Sequence, residues 1–150
     1  MSDPVERFVF PMRLHYDVAA GYALSRHLRS LAEGRFVGQR CARCARVYMP
    51  PLGACSVCAV PTTDDVPLPD TGTVETFCIV NIPVRGQGIE LPFACADVKL
   101  DGADTTFLAL IQECAVGDVR SGMRVEAVWA PAAERSPSLA SVRYFRPVAR

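Results

Sequence analysis

Seven cysteines stand in a chain of 150 residues, and four of them form two identical pairs. Cys41-Ala-Arg-Cys44 and Cys55-Ser-Val-Cys58 are separated by ten residues. A CxxC turn points two sulfurs the same way, and a ribbon between two such turns brings four thiolates to one tetrahedral centre. Zn²⁺ favours that all-sulfur shell, with Zn–S distances of ~2.3 Å. Four protein ligands leave no position for water or substrate, so the centre is expected to be structural. A rubredoxin-like iron centre would use the same ligands, and spacing alone does not separate the two metals. Ordinary cytosolic thiols would need two such pairs at ribbon spacing by coincidence. Arg40, Arg43 and Arg46 lie beside the pairs. Their simplest role is to soften the negative charge of a tetrathiolate; phosphate contacts are the bolder one.

Cys78, Cys95 and Cys114 are isolated within apolar segments. A nucleophilic thiol needs a base or a helix N-terminus to hold it as thiolate. The only histidines, His15 and His27, both precede the ribbon. These three cysteines are therefore expected to be small buried hydrophobes. Gly86-Gln87-Gly88 opens no helix and lacks a P-loop lysine, so a turn suffices to explain it. Asp97, Asp101 and Asp104 call for no more than turn and strand-edge roles.

The elements that must position the paired cysteines follow from periodicity and turn chemistry. A helix is predicted over Asp17–Glu33, capped by Asp17 and ended by Gly34, with Gly21 as an unfavourable interior residue. Tyr16, Ala20, Leu24, His27, Leu28 and Leu31 share one face, while Val18, Tyr22, Arg26 and Arg29 share the other. Short β-pieces are expected at Phe36–Arg40 and Val47–Met49 around the cysteines. The Pro- and Asp-rich stretch 61–70 reads as a linker. Beyond it, strands are predicted at Gly72–Ile82, Phe93–Leu100, Thr105–Glu113, Met123–Trp129 and Leu139–Phe145. Asp101-Gly102 supplies the turn between the second and third. The chain thus divides into an N-terminal helical segment (1–34), a zinc ribbon (35–62) and a five-stranded barrel (63–150). An OB-fold is the leading candidate for the barrel, with a small β-sandwich as the competing architecture.

Sixteen basic and sixteen acidic residues cancel. A nucleic-acid binder needs a basic surplus and stacking aromatics, and this composition offers little of either. No apolar run approaches the ~18 residues of a membrane span. The N-terminus carries acids where a signal peptide carries basic and then apolar residues. A disulfide framework does not suit an odd cysteine count without a secretion signal. A cytoplasmic protein is expected.

The order of parts resembles the Zn-ribbon/OB-fold proteins, once filed as a domain of unknown function, that associate with thiolase-like enzymes of acyl-CoA metabolism. The likeness rests on the helix around Tyr16–Leu31 with Gly21, then Gly38-Gln39-Arg40-Cys41-Ala42-Arg43-Cys44. It continues through Val47-Tyr48-Met49-Pro50-Pro51 and Cys55-Ser56-Val57-Cys58, then Gly72-Thr73-Val74. Leu100-Asp101-Gly102-Ala103-Asp104 and Gly122-Met123-Arg124-Val125 complete it. One departure is Ala45 and Ala59 after each pair, where glycine is common; a Cβ resists positive φ, so an altered knuckle backbone is expected. The resemblance implies a non-catalytic subunit in a hetero-oligomer with a thiolase or related carbon–carbon lyase, with acyl-CoA at or near the shared interface. Tyr22, Arg26 and Arg29 on the outer helix face are the candidate partner contacts, because Tyr and Arg are enriched at interface hot spots. The competing functions are a free-standing acyl-CoA- or nucleotide-binding protein and, behind it, a nucleic-acid module.

Overall fold

A computed structural model of the chain describes residues 7–10, 14–15, 17–83, 86 and 88–148. Helix α1 spans Gly21–Ala32. The ribbon carries β1 (Phe36–Cys41), β2 (Val47–Tyr48) and β3 (Thr62–Leu68), in the order β2-β1-β3. Five further strands follow: β4 (Thr71–Val80), β5 (Phe93–Leu100), β6 (Phe107–Ile111), β7 (Arg124–Trp129) and β8 (Val142–Pro147). They close a barrel in the order β4-β5-β6-β8-β7. The expected zinc ribbon and OB-type barrel are both present, and closure rules out the sandwich.

The helix is shorter than predicted. Asp17 lies ahead of it, Ala20 takes the N-cap without a side-chain bond, and Gly21 enters the first turn at φ +64°. That left-handed step, unfavourable for a residue with a Cβ, breaks the helical path over 17–20. Tyr16 lies outside the described residues. The far end matches expectation. Gly34 sits at φ +74°, and the Arg35 amide donates back to the Ser30 carbonyl at 3.1 Å. This is the six-to-one closure of a left-handed cap. Leu31 and His27 are buried, Leu24 and Leu28 half-buried, and Tyr22, Arg26 and Arg29 exposed.

The stretch expected as a linker is strand β3. It pairs antiparallel with β1 from Phe36↔Leu68 to Cys41↔Thr62. Pro67 did not prevent this because β3 is an edge strand, bonded on one side only, where a missing N–H is tolerated. Only Pro69 and Asp70 then separate β3 from β4, so the ribbon leads almost directly into the barrel.

Alternation builds the barrel core. Ala94, Ala96, Val98 and Leu100 of β5 point inward and are fully buried. Met123 and Val125 are buried at the start of β7. Gly72 is required at the β4–β5 crossing, where a Cβ would meet the Lys99 carbonyl oxygen at 2.5 Å. Phe36 of the ribbon closes one end of the barrel. Its ring packs 4.7 Å from Trp129, 5.9 Å from Phe107 and 6.2 Å from Phe145, centroid to centroid. Such aromatic clusters add ~0.5–1.5 kcal/mol per pair beyond area burial, so ribbon and barrel share one core.

Candidate metal centre

Each cysteine pair sits on the same local scaffold. The Cys41 amide donates to the Arg46 carbonyl at 2.8 Å, and the Ala45 amide returns to Cys41 O at 2.9 Å. In the second knuckle Cys55 N donates to Val60 O at 2.8 Å and Ala59 N to Cys55 O at 2.9 Å. The two turns are near copies. Ala45 and Ala59 adopt φ +62° and +53°, so alanine takes the left-handed conformation that glycine would, and the expected change of backbone does not occur. The strain is of order 1–2 kcal/mol per residue.

The four Sγ atoms of Cys41, Cys44, Cys55 and Cys58 all lie within 4.8 Å of one another. A tetrahedral shell at ~2.3 Å from zinc places sulfurs roughly 3.8 Å apart, and Cys44 and Cys55 already approach to 3.6 Å. Cys41 and Cys55 are buried, Cys44 and Cys58 half-buried. The donor set therefore fits a tetrahedral thiophilic ion. Zinc bound there would offset half of the four thiolate charges and join the two knuckles.

Sulfur lone pairs not directed at the metal are met by N–H and O–H donors. Arg43 N lies 3.4 Å from Cys41 Sγ, and Cys58 N lies 3.3 Å from Cys55 Sγ. The buried Tyr48 hydroxyl stands 3.2 Å from Cys55 Sγ and accepts from the Ser56 amide at 3.2 Å. The Tyr48 oxygen also lies 3.1 Å from Ser56 Oγ; with the Ser56 hydroxyl donating to it as the amide does, the Tyr48 O–H donates to the sulfur. The Tyr48 contact is the main cause that lowers the Cys55 thiol to about 6, against opposing desolvation. Cys58 is pushed the other way, to about 12, by burial and then by the adjacent sulfurs. Four crowded thiols cannot all ionise without a cation between them. Tyr48 was missed by ligand spacing, since tyrosine is no ligand here. Its signal was a tyrosine seven residues before Cys55.

The three flanking arginines diverge. Arg40 lies opposite Asp64 across β1–β3, with Nε 3.9 Å from the carboxylate. Arg43 and Arg46 are exposed, and no ion pair engages them among the described residues. On the helix, Arg26 stacks over the Tyr22 ring at 5.5 Å and pairs with Asp65 of β3. Arg29 is exposed in the last helical turn.

The lone cysteines differ from expectation. Cys78 is exposed, not buried, because β4 runs past its pairing with β7, which ends at Thr73↔Arg124. Cys95 and Cys114 are half-buried, and burial raises both thiols further from ionisation. Asp101 and Asp104 do hold turns, whereas Asp97 lies within β5 rather than at its edge or in a turn. Asp101 accepts from Thr71 Oγ1 at 2.6 Å and from both Arg124 terminal nitrogens at 2.6 Å. Gly86 takes φ +85° in the long β4–β5 connection; Gln87 lies outside the described residues. No helix among the described residues is long and apolar enough to cross a membrane.

Comparison with known proteins agrees with this construction. Residues 29–64 match the rubredoxin-like zinc ribbon domain of ChsH2, and residues 65–130 match its C-terminal OB-fold domain. No curated protein matches the chain. Among solved structures, a chain of the "Ltp2-ChsH2(DUF35) aldolase" is 25% identical with a TM-score of 0.67. The match covers 87% of this chain and 98% of that one. A DUF35-family protein of unknown function from Sulfolobus solfataricus shares the fold at 19% identity and a TM-score of 0.64. There the match covers 85% of this chain and 84% of the other. Matched in chain order by both ChsH2 domains over residues 29–130, this chain belongs to the ChsH2 family of zinc-ribbon/OB-fold proteins.

Proposed function

We propose that the chain is a non-catalytic subunit of an acyl-CoA thiolase or related carbon–carbon lyase, supporting its partner's structure or acyl-CoA binding. The observation that carries this is the likeness to a chain whose name pairs ChsH2 with Ltp2 in an aldolase, spanning 98% of that chain. The chain's own chemistry is consistent with leaving catalysis to a partner. Its closed metal centre offers four protein sulfurs, and burial disfavours the thiolates of Cys95 and Cys114. Seven free cysteines suit a reducing cytoplasm.

The partner surface is assigned to the helix side. Phe8, Phe10, Leu14, Val18 and Tyr22 are each 69–80% exposed, an apolar series unusual for a surface meant only for water. Tyr22, Arg26 and Arg29 continue it along α1. Arg43 and Arg46 are the better candidates for CoA phosphate contacts, Arg40 being drawn toward Asp64.

Co-purification from the native host tests the assignment. A thiolase- or aldolase-like protein in fixed stoichiometry is the expected result. A lone chain that turns over acyl-CoA, or one that elutes with nucleic acid, would overturn it.

A further inference from the structure

Two of the cysteines outside the metal centre are paired across strands. Beyond a bulge between Val74 and Thr76, the β4–β5 register runs unbroken from Thr76↔Asp97 to Val80↔Phe93 and sets Cys78 directly opposite Cys95. The inward positions of β5 are Ala94, Ala96 and Val98. Cys95 therefore lies on the outer face of the barrel, and its register partner shares that face. Directly opposed residues of an antiparallel pair have Cα atoms ~4.5–5.5 Å apart. A disulfide needs ~4.4–6.8 Å. The backbone is thus already at bridging distance, and the side-chain torsions are what must adjust.

The two thiols are unequal. Cys78 is exposed and Cys95 half-buried. After burial, the neighbouring Cys78 is the second cause that raises the Cys95 thiol, so the two groups sense each other. Cys78 is the one that an incoming reagent meets first. Among the described residues, β4 is paired here with β5 alone, since its pairing with β7 covers Thr71–Thr73. A bond between the two cysteines would fasten this one-sided arm to the barrel.

We propose that Cys78 and Cys95 form a thiol–disulfide exchange site whose substrate is a low-molecular-weight disulfide. The Cys78 thiolate attacks one sulfur of that disulfide, forming a mixed disulfide and releasing the first small thiol. Cys95, as its thiolate, then attacks Cys78 Sγ, closing the cross-strand bond and releasing the second. The protein dithiol loses two electrons, the small disulfide gains them, and the two protein thiol protons end on the released thiols. An exposed bond of this kind is readily reopened by a thiol, so the dithiol is the resting form at a reducing poise. The site lies within this chain and does not rest on the proposed partner.

The test exposes the zinc-loaded full chain to glutathione disulfide, quenches with acid, alkylates the remaining thiols and maps them by mass spectrometry, with zinc measured alongside. The expected product is a Cys78–Cys95 link that forms through a transient glutathione adduct on Cys78. It leaves zinc in place and is reversed by excess reduced glutathione. Cys95→Ser should stop at the Cys78 adduct, which accumulates at least tenfold beyond its wild-type level. Cys95→Ala serves if the serine variant misfolds, and the wild-type map decides alone if neither folds. A stable Cys78 adduct without the link, no reaction at Cys78, a link from Cys78 to Cys114 or to a second chain, or a link that appears only as zinc is lost would each overturn the proposal.

Discussion

Asp104 and Val47 are bonded twice. The Val47 amide donates to Asp104 Oδ2 at 2.8 Å, and the Asp104 amide donates to the Val47 carbonyl at 2.8 Å. One residue further on, Thr105 Oγ1 accepts from Met49 N at 2.7 Å and donates to Met49 O at 2.9 Å. The turn after β5 thus satisfies four backbone groups on the outer edge of the ribbon. That gives Asp104 a structural task no spacing rule could supply.

Asp104→Ala should destabilise the protein by about 1–3 kcal/mol, because the buried Val47 amide loses its acceptor. Asp104→Asn retains an acceptor oxygen and should cost much less. Chemical denaturation of both variants checks this; equal losses would show that the carboxylate charge, not the bond, matters.

The metal prediction is one zinc per chain on Cys41, Cys44, Cys55 and Cys58, worth ~10–16 kcal/mol apparent to the ribbon. Elemental analysis should return zinc in unit stoichiometry, and Cys41→Ser should lose it together with ribbon structure. Iron in its place would redefine the centre. Full zinc retention by Cys41→Ser would remove that residue from the shell.

The knuckle alanines offer a stabilising change. Ala45→Gly and Ala59→Gly relieve a left-handed Cβ but loosen the unfolded chain. A net gain of several tenths to ~1 kcal/mol each is expected from denaturant midpoints. A loss would mean that the Cβ atoms make compensating contacts.

Asp101 carries a pH dependence. Hydrogen bonds from Arg124 and then Thr71 lower its carboxyl to about 2, below an unfolded value near ~3.9. The folded state therefore binds this proton less readily. Its stabilisation is complete above about pH 4 and is lost as pH falls toward 2. The pair is partly exposed, which limits the effect to ~1 kcal/mol or less. Asp101→Asn should be less stable than wild type at pH 7, with the gap closing across that window. A gap independent of pH would exclude the ionised form as its source.

For the partner surface, Tyr22→Ala with Arg26→Ala should weaken association by more than ~2 kcal/mol while zinc content is preserved. Arg26 also pairs with Asp65, so Tyr22→Ala with Arg29→Ala is the cleaner companion. Calorimetric titration against the co-purified partner measures both. Unchanged affinity in folded variants would move the contact to the barrel.

Local patterns foretold much of this architecture. The CxxC pairs named four ligands that converge, β5 was bounded correctly at Phe93–Leu100 by alternation, and Gly34 marked the helix end. What escaped depended on neighbours distant in sequence. Pro67 looked like a strand breaker until β3 proved to be an edge. Cys78 looked buried because an apolar segment suggests a core, yet its strand overruns the barrel. Tyr48 and Asp104 act through tertiary hydrogen bonds that leave no periodic trace. Gly21 was legible as a problem for the helix, but not as its start.

The chain has a single tryptophan, and it sits where the two halves meet. Trp129 Nε1 donates to Asp70 Oδ2 at 3.0 Å, its ring lies against Phe36, and the Arg135 guanidinium stands 5.6 Å above it. Asp70 belongs to the two-residue step between ribbon and barrel. Any separation of the halves must therefore change the polarity and quenching around this indole. The molecule carries its own optical gauge of the joint, readable in emission colour without a label.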